Sequence, residues 1–160
     1  MRAGLLWTSA GYVEYKFANG VPKNMKTKRV SVSMEICSEA PGYRETWKSD
    51  ITVWINGVDC GTWTCPGDFG SRRGRLNTIC LSNGSTQYGM QMIWEVRGDG
   101  TYLNGLRISD TVVEELQLGA KSFVTVRIGN KPDAKYVGGF NLFGKGFGDY
   151  NQDIVLTMEY

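Results

Sequence analysis

The residues best suited to bind a molecule or act on it lie in one glycine-rich loop that ends in three arginines. This loop, with the sequence PGDFGSRRGR, contains Asp68, Arg72 and Arg73. A carboxylate accepts hydrogen bonds from hydroxyl groups, and the planar fork of arginine fits a carboxylate in a two-point contact. These residue types therefore predict a site for a small polar ligand, such as a sugar or a carboxylated sugar. They do not predict a site that breaks bonds.

Aromatic rings near the loop would complete such a site, because a ring stacks on the C–H face of a sugar. The segments SEAPGY and PGDFG flank one predicted hairpin, which places an acidic residue at the same rim. Two alternatives to ligand binding stay open. The first is that each ring is a core residue, and the second is that the arginines form a solvated loop tip. The predicted ligand-binding set is Glu39, Tyr43, Trp47, Trp63, Asp68, Arg72 and Arg73.

Catalytic machinery is not expected in this chain. The sequence contains no histidine, which removes the commonest general base. It has no Gly-x-Ser-x-Gly elbow, no Ser-x-x-Lys pair and no Walker-type loop. The glycines of 144–148 are followed by a predicted strand, not by a helix that would hold a phosphate. We therefore expect no catalytic residue and no cofactor, with glycoside hydrolysis by a carboxylate pair as the remaining enzymatic alternative.

Metal binding is also not expected, although one acidic loop offers weak candidates. Asp149 and Asp153 could join backbone carbonyls around a calcium ion, and the alternative is a solvated loop. The four cysteines are scattered without a CxxC pair, which fits neither a zinc site nor a redox motif. Buried free thiols in a reducing cytoplasm are the interpretation we adopt for Cys37, Cys60, Cys65 and Cys80.

Length and charge limit the class of protein. The 160 residues predict one domain, residues 1–160. A net charge of +2 is too low for a dedicated nucleic-acid module, and the basic segment 23–29 is predicted to be a solvated loop. No apolar run approaches the roughly 20 residues of a membrane span. The start of the sequence shows no secretory signal, so we expect a cytoplasmic protein without membrane contact.

The elements that must position these residues are short strands separated by turns. Apolar and polar residues alternate in 51–56 and in 29–37, and Asn56-Gly57 and Asn104-Gly105 signal two-residue hairpins. Residues 110–118 are the one candidate helix, with Asp110 as its N-cap, and a single turn is an equal alternative for this segment. We predict an all-β fold: a jelly-roll-like antiparallel sandwich of about nine strands with at most one short helix. Further strands are predicted at 12–17, 58–64, 88–96, 101–103, 106–109, 123–128, 136–143 and 152–160.

The remaining large aromatic residues are predicted mostly as core. Trp54 lies on the opposite strand face from its apolar neighbours, so it is exposed, covered by a loop or packed in a second layer. The residues assigned to the core are Trp7, Phe17, Phe123, Phe140 and Phe143.

Several long motifs, including SEAPGY, GTWT-x-PGDFG-x-RRGR and FG-x-YNQDI, carry a resemblance to a known group. From about Gly4 to Tyr160 the chain resembles the C-terminal domain of ArsR-type (DeoR-like) helix-turn-helix transcriptional regulators of Firmicutes. The resemblance implies an effector-binding or assembly domain that binds a small effector. No winged-helix segment precedes Gly4 in the sequence, so DNA binding through this chain is not expected. The alternatives are a homodimerisation module with an exposed patch at Trp54 or Trp94, and a stand-alone carbohydrate-binding module.

Overall fold

A computed structural model describes residues 3–22 and 24–160 of the chain. Met1, Arg2 and Lys23 lie outside the described residues. Lys23 is the first residue of the predicted basic loop. Residues 24–28 form a connection without strand structure, as predicted. The described residues form β1 Leu5–Thr8, β2 Tyr12–Ala18, β3 Arg29–Cys37, β4 Ser49–Ile55, β5 Val58–Cys65, β6 Met90–Arg97, β7 Gly100–Leu103, β8 Leu106–Ser109, β9 Phe123–Gly129, β10 Phe140–Phe143 and β11 Val155–Glu159.

The strands form two antiparallel sheets that enclose one core. The larger sheet has the order β1-β10-β3-β6-β7-β8, and β11 pairs with β3 beside β10. The smaller sheet has the order β2-β9-β4-β5. The prediction of an all-β antiparallel sandwich is therefore confirmed, with eleven strands among the described residues instead of about nine.

The core follows from the alternation of side chains along the central strands. Val30, Val32, Met34 and Ile36 of β3 are fully buried between the sheets. The inward face of the smaller sheet contributes alternate apolar residues of β4 and β9 to the same cluster. Since successive side chains of a strand point to opposite faces, Trp54 of β4 lies on the outer face of the smaller sheet.

Two tight hairpins fix the register of neighbouring strands. Asn56 and Gly57 have φ of 51° and 83°, and Asn104 and Gly105 have φ of 47° and 86°. Both central residues of a type I′ turn need positive φ, which asparagine and glycine adopt most easily. The two hairpins predicted from Asn-Gly pairs are therefore confirmed.

Secondary structure differs from the prediction at two places. In the segment 110–118 the alternative of a single turn is closer to the structure than an α-helix with its cap at Asp110. Two short 3-10 turns, Val113–Leu116 and Leu118–Ala120, form there and just beyond it, because the segment is too short to repay helix nucleation. The strand predicted from residue 136 begins at Phe140. Gly139 has a φ of 58°, which breaks the extended conformation just before that strand.

Two burial predictions also need correction. Trp7 is 64% exposed and not a core residue, because on the edge strand β1 its side chain points to the opposite face from that of Leu6. Trp94 is fully buried, so no exposed patch contains it. Phe140 and Phe143 are buried as expected.

No helix in the described part of the chain is long and apolar enough to span a membrane.

Candidate ligand-binding site

The loop after β5 forms one wall of a polar cavity of about 300 Å³, named here the loop pocket. Three of the residues predicted from sequence, Tyr43, Arg72 and Arg73, lie in its wall. The Tyr43 ring lies directly over the backbone of Gly70, where a side chain would leave no room for the ring. The complete wall consists of Tyr43, Gly70, Ser71, Arg72, Arg73, Asn83 and Gln87.

Asp68 does not reach the surface of this pocket. Its side chain is fully buried, and Oδ2 accepts hydrogen bonds of 3.0 Å from the Ala40 N–H and from the Thr86 hydroxyl. The Cys37 thiol donates to Oδ1 at 3.7 Å. Burial raises the pKa of Asp68 to about 6. The carboxyl group therefore links the loop of Asp68 to the segments that contain Ala40 and Thr86.

Arg72 is held through both of its terminal nitrogens and on one face. Its Nη1 and Nη2 donate to the two carboxylate oxygens of Asp149 at 3.0 and 2.5 Å. The guanidinium carbon lies 3.7 Å from the centre of the Tyr88 ring, which in turn stacks on Phe69. The hydrogen bonds from Arg72 lower the pKa of Asp149. Arg72 therefore carries a charge that is already balanced within the protein.

Arg73 has a different set of partners. Its Nη1 donates to the Thr78 carbonyl at 2.5 Å, and its Nη2 donates to the Leu81 carbonyl at 3.2 Å and to Asn83 Oδ1 at 2.6 Å. All three acceptors are neutral. Within residues 3–22 and 24–160, Arg73 forms no ion pair with a carboxylate. Arg73 is therefore a cation of the loop pocket without an ion-pair partner among the described residues. The acidic group beside the same wall is Glu45, which accepts a hydrogen bond from the Ser71 N–H at 3.2 Å.

Buried polar groups anchor the loops around the pocket. Glu35 of β3 is fully buried, and its carboxylate accepts hydrogen bonds from the N–H groups of Gly89, Asp149 and Tyr150 at 2.8 to 3.0 Å. Burial raises the pKa of Glu35. Gln87 is also buried, and it donates to the Ser82 carbonyl at 2.8 Å. These buried side chains act together with backbone contacts, such as the bridge between Phe69 and Tyr88, to fix the irregular segments.

The other predicted residues lie outside the loop pocket. Trp63 is half-buried on the inner side of β5, and its ring meets that of Trp94 edge-on at 6.5 Å. Trp47 is exposed and lies under the Arg44 guanidinium, 5.3 Å from ring centre to Cζ. Glu39 lines a separate surface depression with Trp7 and Phe147. The structure thus brings together three of the seven predicted residues.

The two weak calcium candidates are both engaged by protein donors. Asp149 binds Arg72 and also accepts a hydrogen bond from the Arg75 N–H at 3.0 Å. Asp153 accepts one from the Lys145 N–H at 3.2 Å. In the part of the chain that the structure describes, no three His, Cys, Asp or Glu side chains cluster in a way that could hold a metal ion.

The cysteines are free thiols, as predicted, but they are not all buried. Cys37, Cys60 and Cys65 are buried, and burial raises the pKa of Cys60 to about 12 and that of Cys65 to about 11. Cys80 is exposed, which corrects the prediction for this residue. It lies in the loop that follows the arginines.

Sequence reasoning missed Asn83 and Gln87 as wall residues and the pairing of Asp149 with Arg72. These residues are separated from the arginines by 10 to 77 positions, and no local pattern reports such contacts. Two features of the sequence could have indicated these contacts, Tyr88 and the acidic loop at Asp149, because both are polar groups near strand ends.

An antiparallel β-sandwich with a polar loop pocket is the class that the fold and the site define. No protein-family model matches the chain, and no curated protein matches it. Among solved structures, it is similar to one described as "Carbohydrate-Binding Module CBM36 in complex with calcium and xylotriose". The identity is 11%, the TM-score is 0.36, and the alignment covers 97% of this chain and 78% of that one. A likeness this distant carries no information about ligand or mechanism.

Proposed function

We propose that this domain is a non-catalytic binding module whose loop pocket holds a small anionic polar ligand, of which a carboxylated sugar is the type we favour. The observation that carries the proposal is the charge of Arg73, which faces only neutral acceptors. A cation that lacks an internal counter-charge attracts an anion from solution. The pocket volume of about 300 Å³ is at the lower end of the range for small-ligand sites.

The donors that remain in the pocket suit a sugar acid. Arg73 uses two of its nitrogens for loop carbonyls and Asn83, which leaves its Nε–H for a ligand carboxylate. The Ser71 hydroxyl and the Tyr43 phenol also lie in the wall, and both donate and accept hydrogen bonds. Glu39, Trp47, Trp63 and Asp68 stay predictions as ligand contacts, and the positions above give them no part in this pocket.

Calorimetric titration with a galacturonate oligosaccharide, and with a neutral oligosaccharide of equal length, tests the proposal. We expect the acidic sugar to bind in the loop pocket and its affinity to fall as salt rises, since salt screens exposed charges. The substitution Asn83→Asp is the decisive variant. It supplies Arg73 with an internal carboxylate without removing any loop contact, and should weaken acidic-sugar binding at least about tenfold, or about 1.4 kcal/mol.

Leu106→Asp is the matched control, because it adds the same charge on the exposed strand β8, outside the pocket. It should leave the affinity within about twofold, a difference of less than 0.5 kcal/mol. Unchanged binding in Asn83→Asp, or no binding of acidic sugars by the unmodified protein, contradicts the proposal.

The regulator context stays a separate proposal. It rests on the motif resemblance, and its test is whether the gene encodes a winged helix ahead of this domain. The cytoplasmic location and the homodimer implied by that context stay predictions with it. Light scattering of the purified chain tests the dimer, and a monomer at every concentration would contradict it.

A further inference from the structure

A second concave surface lies on the outer face of the smaller sheet, and we name it the sheet groove. It has a volume of about 390 Å³, and apolar atoms dominate its wall. Tyr12 of β2 is 57% exposed, and Trp54 of β4 is half-buried, so both rings contribute to the surface of the groove. The wall consists of Ala10, Gly11, Tyr12, Trp54, Arg127, Asn130, Lys131, Pro132 and Val137.

Hydrogen bonds hold the groove open without a ligand. The loop after β9 forms its far wall, and Asn130 Nδ2 ties this loop to β4 through the Asp50 carbonyl at 2.8 Å and the Ser49 hydroxyl at 2.9 Å. The Tyr136 N–H donates to the Asp50 carboxylate at 3.0 Å. A preformed cavity loses little free energy to ordering when a ligand binds.

The charged groups of the groove are balanced in pairs. Arg127 contacts the Glu14 carboxylate at 3.0 Å and lies over the Tyr12 ring at 4.1 Å. Lys131 contacts the Asp59 carboxylate at 2.5 Å. Since each of these cations already has its own carboxylate, the groove gives an anion no electrostatic preference. Its ligand should therefore be neutral.

Asn130 supports the wall through one half of its amide group. It is 7% exposed, and its Nδ2 makes two hydrogen bonds, whereas its Oδ1 has no partner among the described residues. Because Oδ1 is itself closed off from the groove, Asn130 holds the loop in place and is not a ligand contact in this structure.

We infer that the sheet groove binds a neutral sugar ring. A pyranose presents an apolar C–H face, which would lie against Tyr12 or Trp54, and a rim of hydroxyl groups, which would meet the polar groups at the edge of the groove. The arginine, lysine and carboxylate groups around the wall provide further hydrogen-bond partners for hydroxyls. This site is separate from the loop pocket, and its ligand differs from the acidic sugar proposed there.

Calorimetric titration with neutral hexasaccharides (cello-, xylo-, manno- and maltohexaose) tests the inference, together with amide chemical shifts that locate the bound sugar. We expect at least one of these sugars to shift amides of β2, β4 and the 130–137 loop. Tyr12→Ala removes a largely exposed ring and should weaken binding at least about tenfold. Tyr12→Phe keeps the ring and should bind within about threefold of the unmodified protein.

The matched control is Trp7→Ala, which removes an exposed ring that is outside the groove and should not change the affinity. Asn83→Asp, which blocks the loop pocket, should leave neutral-sugar binding intact, so failure at one site is distinguishable from failure at the other. The inference is overturned if none of the hexasaccharides binds, or if binding survives Tyr12→Ala. It is also overturned if only flat aromatic compounds without hydroxyl groups occupy the groove.

Discussion

The loop pocket and the sheet groove are similar in size but differ in how their charges are balanced. In the loop pocket Arg72 is paired with Asp149, while Arg73 contacts neutral groups alone. In the sheet groove Arg127 and Lys131 each contact a carboxylate. We infer from this difference that the charge of a ligand follows the number of cations without an internal partner, and not the total number of cations in a wall.

The two regions also differ in how their walls are supported. The loop pocket is made of irregular segments that buried polar side chains fix to the sheet, with Glu35 and Asp68 as the main anchors. The sheet groove rests on paired strands, whose backbone hydrogen bonds follow from the register of β2, β9 and β4. Loss of one anchor should therefore harm the loop pocket far more than loss of one surface group harms the groove.

The largest effect that tests this contrast is expected for Glu35→Ala. Removal of the carboxylate leaves the N–H groups of Gly89, Asp149 and Tyr150 without their acceptor, which should lower the free energy of unfolding by about 3–5 kcal/mol. Glu14→Ala on the groove side is the matched control, with an expected loss below about 0.5 kcal/mol. Urea unfolding measures both values, and losses of equal size would contradict the difference in support.

A smaller effect should separate two arginines that each stack on a tyrosine. Arg72→Lys loses the two-point contact with Asp149 and the stacking on Tyr88, at an expected cost of about 1–2 kcal/mol. Arg127→Lys loses contacts that are more exposed to solvent and should cost about 0.5 kcal/mol. Limited proteolysis sharpens the comparison: Arg72→Lys should open the loop around Asp149 to cleavage. An uncut loop in that variant would show that Arg72 does not hold it.

The fold could be predicted from local signals, because the sandwich depends on patterns that lie within single strands. The alternation of Val30, Val32, Met34 and Ile36 defines a buried face, and Asn56-Gly57 defines a turn, without knowledge of any distant residue. These signals arise from residues that are neighbours in the sequence.

The sites were harder to predict because their contacts join distant segments. Asp68 lies in a glycine-rich loop, where a carboxylate is usually solvated, and it is buried only because Ala40 and Thr86 supply donors from 28 and 18 positions away. The groove around Trp54 needs the strand order that places Tyr12 and Arg127 beside it. Sequence alone therefore identified the outward direction of Trp54 but not its surroundings.

The smallest effect concerns the pH dependence of stability, which the buried carboxyl beneath the loop pocket should dominate above pH 5. The pKa of Asp68 is about 6 in the folded protein, above its ordinary value of 3.8. Between these two values the folded state binds more protons than the unfolded state, so its stability rises as pH falls. From pH 7 to pH 5 the gain from this group should be about 1 kcal/mol, and Glu35, whose pKa is also raised, adds in the same direction.

Thermal unfolding at pH 7 and pH 5 measures this gain, and Asp68→Asn should remove about 1 kcal/mol of it. Asn keeps one carbonyl oxygen for the Ala40 N–H, so the variant should still fold and remain comparable. Asp59→Asn, which replaces the Lys131 partner beside the groove, is the control that should leave the gain in place. If Asp59→Asn removes the gain in stability at pH 5 and Asp68→Asn does not, a group beside the sheet groove causes the pH dependence. The view of the loop pocket as the region fixed by buried titratable anchors would then be wrong.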